Sequence, residues 1–259
     1  MSKILVSGKG GVGKSFFCVA LAKAFERENF KVLLIDADES NQSLYRLLGF
    51  EAPVLSYMDY LGGKKVFKER LRKAFQSGTK EPQIEISNEN IQGISALPKE
   101  ILLQRGNIFL LSVGKIKEPL EGCACPMGVL GRELLERFKP LQGEVVIIDT
   151  EAGLEHFGRG LEKGVDKIIA LSEPYLDALE VAQKILEFAQ SMGKPAYLIL
   201  NKVPEEMKEN LSSFLLEWGL NPLLILPWKK EIYLNSLYGK SYEEESILLK
   251  LQKIIPEIL

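Results

Sequence analysis

The sequence lacks an excess of positive charge. Its 259 residues include 33 lysines and arginines against 35 aspartates and glutamates, which gives a formal net charge of -2. A protein that binds nucleic acid through the phosphate backbone needs a basic surface to neutralise that charge. The charge balance therefore predicts no nucleic-acid partner.

Long apolar runs and a disulfide framework are missing as well. No uncharged apolar run reaches the roughly 18 residues that a bilayer-spanning helix needs, and the first residues do not show the basic-then-apolar order of a secretory signal. The three cysteines are an odd number in a long chain, which favours reduced thiols. We expect a cytoplasmic protein with no stable membrane association.

Short apolar runs alternate with longer helical patterns along the chain, and this alternation predicts an α/β fold. Continuous apolar runs are typical of strands covered on both faces, as in a parallel sheet. The predicted strands cover residues 3–7, 31–36, 108–113, 144–149, 167–172, 196–201 and 222–226. The predicted helices cover residues 14–28, 40–48, 65–75, 126–138, 175–192 and 208–218, with a last one from about residue 242. We expect one doubly wound, mainly parallel P-loop domain over residues 1–259, flanked by helices.

A polar stretch at about residues 76–107 interrupts this alternation. It opens on SGTKEPQ and contains a short β-like segment at 84–86. A segment of this length inside a compact domain is usually functional or mobile. We interpret it as an insertion that serves as a contact surface, a lid or a connection without a function of its own.

A phosphate-binding loop follows the first predicted strand and opens the first helix. Its glycines let successive backbone N–H groups face a phosphate, and the positive end of the helix adds to the attraction. Lys14 is expected to reach the β- and γ-phosphates of ATP, and the Ser15 hydroxyl to bind Mg²⁺. The nucleotide-binding residues predicted here are Gly8, Lys9, Gly10, Gly11, Val12, Gly13, Lys14, Ser15 and Phe16.

Lys9 adds a second lysine to the loop, in the sequence KGGVGKS. This loop resembles the deviant Walker A motif of the MinD/ParA/nitrogenase-iron-protein class. The resemblance implies that Lys9 reaches across the interface of an ATP-dependent homodimer to the partner's nucleotide, so that Lys9 and Lys14 both act in catalysis. The alternative is a solvated surface lysine.

Aspartates at two strand ends complete the expected site. Asp149 ends the strand VVIID, where a Walker B carboxylate supports Mg²⁺. Asp36 ends the strand VLLID, and Asp38 lies two residues further on. The same class resemblance implies that Asp38 orients the attacking water, and we assign Asp36 to the waters of Mg²⁺. A single strand-end aspartate is more often a turn or helix cap, but two beside a phosphate loop favour a Mg²⁺ site.

The base of the nucleotide is expected near two later strand ends. Asn201 and Lys202 lie at the end of the sixth predicted strand, and an amide there can both donate to and accept from adenine. Pro227 and Trp228 follow the seventh strand and are predicted to wall the purine pocket. A tryptophan at the edge of the core would look the same in sequence.

Two further cysteines lie two residues apart in a loop before a helix. Cys123 and Cys125 cannot complete a tetrahedral site alone, but two copies related by a dimer axis supply four sulfurs. Incidental cysteines are the alternative. Cys18 lies in an apolar helical run and is expected to be a buried hydrophobe.

The combination of KGGVGKS, GCACP at residues 122–126 and IDTEAGLEHFGRG at 148–160 resembles the CooC family, whose members are ATPases that mature carbon monoxide dehydrogenase. The resemblance implies delivery of nickel to the Ni-Fe-S cluster of that enzyme, with metal bound between subunits by Cys123 and Cys125. Thiolates suit Ni²⁺ and Zn²⁺ alike, so the sequence does not select the metal. The single histidine, His156, is expected to play a structural or supporting role, or to couple hydrolysis to metal release.

Two other functions stay open from the sequence. A MinD/ParA-type spatial-positioning ATPase needs a membrane-binding helix or a basic DNA-binding face, and residues 246–259 are only partly amphipathic and weakly basic. We interpret that segment as a helix docked on the domain. An iron–sulfur scaffold ATPase with a cluster on the paired cysteines is the second alternative.

Overall fold

Eight strands form one sheet in the computed structural model, which describes residues 2–40, 43–76, 90–115, 125–154, 157, 160–238, 240–241 and 244–259. Ten strands are described, of which β3 and β6 pair with each other outside the large sheet: β1 (Ser2–Ser7), β2 (Lys31–Asp36), β3 (Ile91–Gln92), β4 (Leu103–Arg105), β5 (Ile108–Ser112), β6 (Phe138–Lys139), β7 (Glu144–Asp149), β8 (Lys167–Ser172), β9 (Ala196–Val203) and β10 (Pro222–Pro227). The order across the large sheet is β10-β9-β8-β1-β7-β2-β5-β4. All neighbouring pairs are parallel except β4 with β5.

Nine α-helices are described. They are α1 (Lys14–Arg27), α2 (Leu44–Leu47), α3 (Tyr57–Tyr60), α4 (Gly63–Gln76), α5 (Cys125–Arg137), α6 (Leu176–Ser191), α7 (Lys208–Glu217), α8 (Lys230–Leu237) and α9 (Glu245–Ile258). Short 3₁₀ turns cover Ile94–Ala96, Lys99–Ile101, Leu161–Gly164 and Glu205–Met207. Within these described residues, no helix combines the length and the apolarity needed to cross a membrane.

Alternating strand residues fill two apolar layers, one on each face of the sheet. Leu33 and Ile35 of β2 face a core built with α4, α5 and α6, whereas Leu34 faces a core built with α1 and α9. Because successive side chains of a strand point to opposite faces, the continuous apolar runs of the sequence serve both layers at once. The doubly wound, mainly parallel fold expected from the sequence is confirmed.

The last helix is docked, as its partial amphipathicity predicted. Six apolar residues of α9 are buried, and they share one cluster with the apolar residues of α1, namely Ile247, Leu248, Leu251, Ile254, Ile255 and Ile258. The helix starts at Glu245 rather than near residue 242, and residues 242–243 lie outside the described residues.

Residues 90–107 were predicted to be part of a polar insertion, but they contain buried apolar residues and a strand. Ile94, Leu97 and Ile101 are buried under the sheet, and β4 adds an antiparallel edge to β5. A three-residue strand is too short to show an alternating pattern, which is why the sequence did not reveal it. The β-like segment at 84–86 lies outside the described residues.

Several boundaries differ from the sequence expectation. The helix expected over 40–48 is limited to Leu44–Leu47 in the described part of the chain, and α8 was not predicted. α8 buries none of its residues, so it lacks the apolar periodicity on which helix prediction depends. β9 ends at Val203 rather than at residue 201, so it includes Lys202 as well as Asn201.

Candidate functional site

The candidate site lies where β1, β7, β2 and β5 end together. Asp149 of β7 is the register neighbour of Val6 on one side and of Asp36 on the other, and Asp36 is in turn the neighbour of Ser112. This is the carboxyl edge of the parallel strands, where open α/β sheets bind ligands. Neighbouring strands are separated by only about 5 Å, so the two carboxylates share one environment.

The loop between β1 and α1 depends on its glycines, as Gly13 and Gly8 show. Gly13 has a left-handed φ of 93°, and a Cβ there would lie 2.7 Å from Asn201 Nδ2. A Cβ on Gly8 would lie 2.1 Å from the carbonyl oxygen of Leu171 in β8. Glycine thus allows the turn into α1 and the close approach of the loop to the sheet.

Lys14 and Ser15 begin α1 and direct polar groups to the centre of the loop. Lys14 is buried, and its Nζ donates to the carbonyl oxygens of Gly8 at 3.1 Å and Lys9 at 3.2 Å. Ser15 Oγ donates to Asp149 Oδ2 at 2.7 Å. An ammonium, a hydroxyl and the free N–H groups of a helix start form an anion-binding arrangement beside a cation-binding carboxylate.

Burial changes the protonation of the two strand-end carboxylates. It raises the pKa of Asp149 to about 7, against the opposing effect of the hydrogen bond from Ser15. It also raises the pKa of Asp36 to about 6, although the Lys115 ammonium lies 2.7 Å from Asp36 Oδ1 and opposes the change. Two carboxylates held in a dry environment favour a cation that would compensate their charge.

Asp38 lies beside the phosphate loop. Its Oδ1 accepts hydrogen bonds from Ser40 N at 2.9 Å and Ser40 Oγ at 2.8 Å. Asp38 lines a cavity of about 470 Å³, named here the phosphate cavity, together with the loop. The other residues that line it are Gly10, Gly11, Gly13, Lys14, Ser15, Phe16, Ser40, Ser43, Arg46, Leu47, Ala152 and Ser236.

The donor groups at this edge suit Mg²⁺ that is also bound by phosphates and water. They do not suit a metal ion that is coordinated by protein side chains alone. Among the described residues, no three histidine, cysteine, aspartate or glutamate side chains are grouped closely enough to hold a metal ion. Mg²⁺ characteristically keeps several waters and takes one or two carboxylates plus substrate phosphates. The Ser15–Asp149 pair beside the phosphate cavity satisfies that requirement.

Lys9 is directed toward α6 of its own chain. Its Nζ lies 3.0 Å from Asp177 Oδ2 and 5.4 Å from the centre of the Tyr175 ring. Asp177 is largely exposed, at 73% of its side-chain surface, and Lys9 is at 35%. A surface ion pair of this kind contributes about 0–1 kcal/mol, so the lysine can change partners at little cost.

The residues predicted to hold the base are divided between two places. Asn201 Nδ2 donates to the carbonyl oxygen of Val12 at 2.9 Å, and Lys202 Nζ contacts Gly11 O and, at 2.7 Å, Glu173 Oε1. Both therefore support the phosphate loop from the sheet. Pro227 and Trp228 line a separate cavity of about 310 Å³, with Glu205, Lys229, Ser246 and Lys250.

The predicted thiolate site cannot be placed. Cys123 and His156 lie outside the described residues, and Cys125 is described only as the first residue of α5. Cys18 is fully buried, as expected of a core residue, with its Sγ 3.9 Å from Asp149 Oδ1. Burial raises the pKa of this thiol well above its usual value, so it is an unreactive thiol.

Lys115 is a residue of the site that the sequence analysis missed. It forms the buried ion pair with Asp36, and its Nζ also donates to the carbonyl oxygen of Asp38. It follows the end of β5, so it lies at the same edge of the sheet as Asp36 and Asp149. Only the spatial order of the strands shows that β5 ends beside β2.

The sequence and the fold match known nucleotide-binding proteins. Residues 3–242 match the family model of the CobQ/CobB/MinD/ParA nucleotide binding domain. An uncharacterized ATP-binding protein of Methanocaldococcus jannaschii is 44% identical over 246 residues, 94% of each chain. The carbon monoxide dehydrogenase accessory protein CooC of Rhodospirillum rubrum is 35% identical over 203 residues, 78% of this chain and 74% of that protein.

Solved structures show the same fold. The septum site-determining protein MinD of Pyrococcus horikoshii, solved with Mg-ADP, superposes with a TM-score of 0.64 at 18% identity, covering 99% of this chain and 95% of that one.

The family match covers the phosphate loop, Asp38, Asp149 and Asn201 in a single span. This chain therefore belongs to the CobQ/CobB/MinD/ParA family of nucleotide-binding P-loop proteins.

Proposed function

We propose that the protein is a Mg²⁺-dependent ATPase whose nucleotide-bound dimer delivers a metal ion to a client enzyme. The observation that carries the ATPase is that Lys14, Ser15 and Asp38 line one cavity, with Asp149 2.7 Å from Ser15. Phosphate binding, metal binding and water activation require these three kinds of group within reach of one another.

Each residue of the cavity has a role in this proposal. Lys14 binds the β- and γ-phosphates, and Ser15 and Asp149 hold Mg²⁺, with Asp36 binding its waters. When bound, Mg²⁺ neutralises charge on the phosphates of the nucleotide. Asp38 orients the attacking water, and Ser40 holds its carboxylate beside the loop through two hydrogen bonds to Oδ1.

The base end of the nucleotide is proposed to lie near Asn201 and Lys202. Because both side chains are bound to loop carbonyls, their main contribution is to hold the phosphate loop in shape. We propose that Pro227 and Trp228 contact the purine from the neighbouring cavity, where Trp228 is 47% exposed. A half-exposed indole is available to stack on a base.

Lys9 is proposed to reach the nucleotide of a second copy of the chain. In one protomer it pairs with the exposed carboxylate of Asp177. The exchange of that weak surface pair for a triphosphate favours the ATP-bound dimer over the ADP-bound one, since the γ-phosphate supplies the differential contact. Nucleotide hydrolysis then weakens the dimer.

The cargo is proposed to be nickel, and the client carbon monoxide dehydrogenase. Support comes from the CooC relative, of which this chain covers 74% at 35% identity, and from the Cys-x-Cys pair at 123 and 125. Two such pairs brought together in a dimer supply four thiolates for one Ni²⁺ or Zn²⁺. ATP-driven closure and opening of the dimer would load and release the metal.

The experiment measures metal per protomer and dimer fraction together. Light scattering and elemental analysis are carried out with Ni²⁺ or Zn²⁺, with and without a non-hydrolysable ATP analogue. We expect one metal per dimer with the analogue, and its loss in Cys123→Ala/Cys125→Ala while the dimer persists. Cys18→Ala is the matched control, because its thiol is buried away from the surface.

Two outcomes would redirect the proposal. A dimer that forms with the analogue but binds no metal would remove the cysteines from the mechanism and favour the positioning ATPases, to be tested by liposome and DNA pelleting. The buried apolar face of α9 argues against membrane binding through that helix. Brown colour with charge-transfer absorbance after anaerobic purification would favour the iron–sulfur scaffold.

A further inference from the structure

The phosphate cavity is lined by a cation besides Lys14, the Arg46 guanidinium of α2. Lys14 belongs to the phosphate loop, and its Nζ donates to two carbonyl oxygens of that loop. Arg46 comes from a different part of the chain and lies outside the phosphate-loop motif. The cavity thus presents two cations to a bound anion, one from the loop and one from α2.

Arg46 is held by Tyr45, the residue before it. Its Nε donates to Tyr45 Oη at 2.9 Å, and the guanidinium carbon lies 5.2 Å from the centre of the Tyr45 ring. A cation within about 6 Å of an aromatic ring is attracted to it. Tyr45 is buried, with 8% of its surface exposed, so it is a fixed support for the more exposed arginine.

The charge of Arg46 is not matched by a carboxylate in the part of the chain that the structure describes. The ion pairs found there involve other cations, and Arg46 forms none with Asp38, although both line the same cavity. Arginine presents a planar fork of N–H donors that matches two oxygens of a phosphate. Because Tyr45 takes only Nε, the terminal nitrogens Nη1 and Nη2 can donate to such a ligand.

The strand order indicates which phosphate Arg46 meets. β1, which leads into the phosphate loop, lies between β7 and β8. Asn201 and Pro227, proposed for the base end, belong to β9 and β10 on the β8 side. Asp38 and Arg46 follow β2, which lies on the β7 side. A nucleotide bound across the loop therefore has its γ-phosphate toward Arg46.

We propose that Arg46 binds the γ-phosphate of the ATP held by its own chain, a role that rests on the nucleotide site proposed for the phosphate cavity. Nη1 and Nη2 donate to γ-phosphate oxygens, which ADP lacks. Arg46 therefore makes the site select ATP over ADP. Tyr45 is a positioning residue, because it acts on the nucleotide only through the guanidinium.

The test measures by calorimetry the affinities of the full chain for ADP and for the ATP analogue adenylyl imidodiphosphate, both with Mg²⁺. Arg46→Gln removes the charge, Arg46→Lys keeps the charge without the fork, and Tyr45→Phe keeps the ring without the hydroxyl. Arg70→Gln, on the exposed surface of α4, is the charge-matched control. Each variant is also made with Lys9→Ala, which removes the lysine proposed to reach a partner's nucleotide.

We expect Arg46→Gln to weaken binding of the analogue by about tenfold or more and that of ADP by less than about twofold, as for the loss of a charge-assisted hydrogen bond. Arg46→Lys should recover part of this loss. Tyr45→Phe should show a smaller loss that is again confined to the analogue, and Arg70→Gln should change neither affinity. The same differences should persist with Lys9→Ala, because the contact is made within one chain.

The proposal is overturned if Arg46→Gln binds the analogue as tightly as the wild type, or if it weakens ADP as much as the analogue. It is also overturned if the loss disappears with Lys9→Ala, since Arg46 would then act on a partner's nucleotide. Lys14→Ala separates this failure from failure of the proposed function. If the wild type binds neither nucleotide, or Lys14→Ala binds both as the wild type does, the nucleotide site itself is refuted, and the role of Arg46 with it.

Discussion

Removal of the Lys115 ammonium should markedly lower the denaturant concentration at which the protein unfolds. Lys115 and Asp36 form a buried ion pair 2.7 Å apart, with side chains 10% and 7% exposed. Lys115→Met keeps the length of the side chain and leaves Asp36 as a buried carboxylate without this cation. Breaking a buried pair from one side costs about 3–5 kcal/mol, because the remaining charge keeps its desolvation penalty.

Urea denaturation followed by circular dichroism measures the cost. With a slope of roughly 3 kcal/mol per molar urea for a chain of this size, the midpoint should fall by about 1–1.7 M at pH 8. Lys65→Met, which removes an exposed lysine on α4, should shift it by less than about 0.2 M. Asp36→Asn combined with Lys115→Met removes both charges and should recover most of the loss.

The pH dependence of the stability lost in Lys115→Met tests whether the Asp36 carboxylate causes the loss. Burial raises the pKa of Asp36 to about 6, with Lys115 opposing, and removal of Lys115 raises it further. At pH 5 the carboxyl of the variant is therefore protonated in the folded state and needs no cation, so the destabilisation should shrink. An equal loss at pH 5 and pH 8, or a double variant no more stable than Lys115→Met, would refute the reasoning.

Further predictions concern the phosphate loop and its carboxylates. Gly13→Ala should destabilise the folded protein by about 2 kcal/mol or more, as measured in thermal melts. The reason is that φ of Gly13 is 93° and the new Cβ would meet Asn201. Gly143→Ala is the control, because Gly143 has φ 80° and open space around it, so this variant should show only the cost of backbone strain. Asp38→Ala should retain the ATP-dependent dimer and lose roughly 100-fold or more in ATP turnover, and wild-type turnover would contradict its role. In metal-free protein, the pKa of about 7 for buried Asp149, well above its usual value, means that the folded state holds the proton more tightly than the unfolded state. The proton-linked stability is then complete below about pH 4 and is lost as the pH rises through 7, by roughly 4 kcal/mol in urea melts, and Asp149→Asn should flatten this dependence.

The sequence predicted the sheet and the phosphate loop because both rest on local signals. An apolar run of four residues, as in β7 or β2, is recognisable without knowledge of its neighbours, and the glycine spacing from Gly8 to Gly13 imposes its own backbone. Asp38 and Asp149 were located by the same means, as polar residues at strand ends. These predictions required only that parallel strands end at one edge of a sheet.

Features that depend on strand order were not predictable in the same way. The pairing of Lys115 with Asp36 needs β5 beside β2, and the hydrogen bond of Asn201 to Val12 needs the end of β9 near the loop after β1. β4 and α8 carry too little apolar periodicity to be seen alone. The roles of Cys123, Cys125 and His156 stay predictions, since they lie outside the described side chains.

The position of β1 in the sheet affects how the chain folds during its synthesis. β1 precedes the other described strands in the chain, yet it lies between β7 and β8, so both of its neighbours come from residues 144–172. The apolar face of α1 is covered by α9, from residues 245–258. On the ribosome, the nucleotide loop between β1 and α1 therefore cannot acquire its native support until most of the chain has emerged. Nascent chains stalled before residue 144 should stay sensitive to protease even with ATP and Mg²⁺, and protection at that length would show that the loop folds without its neighbours.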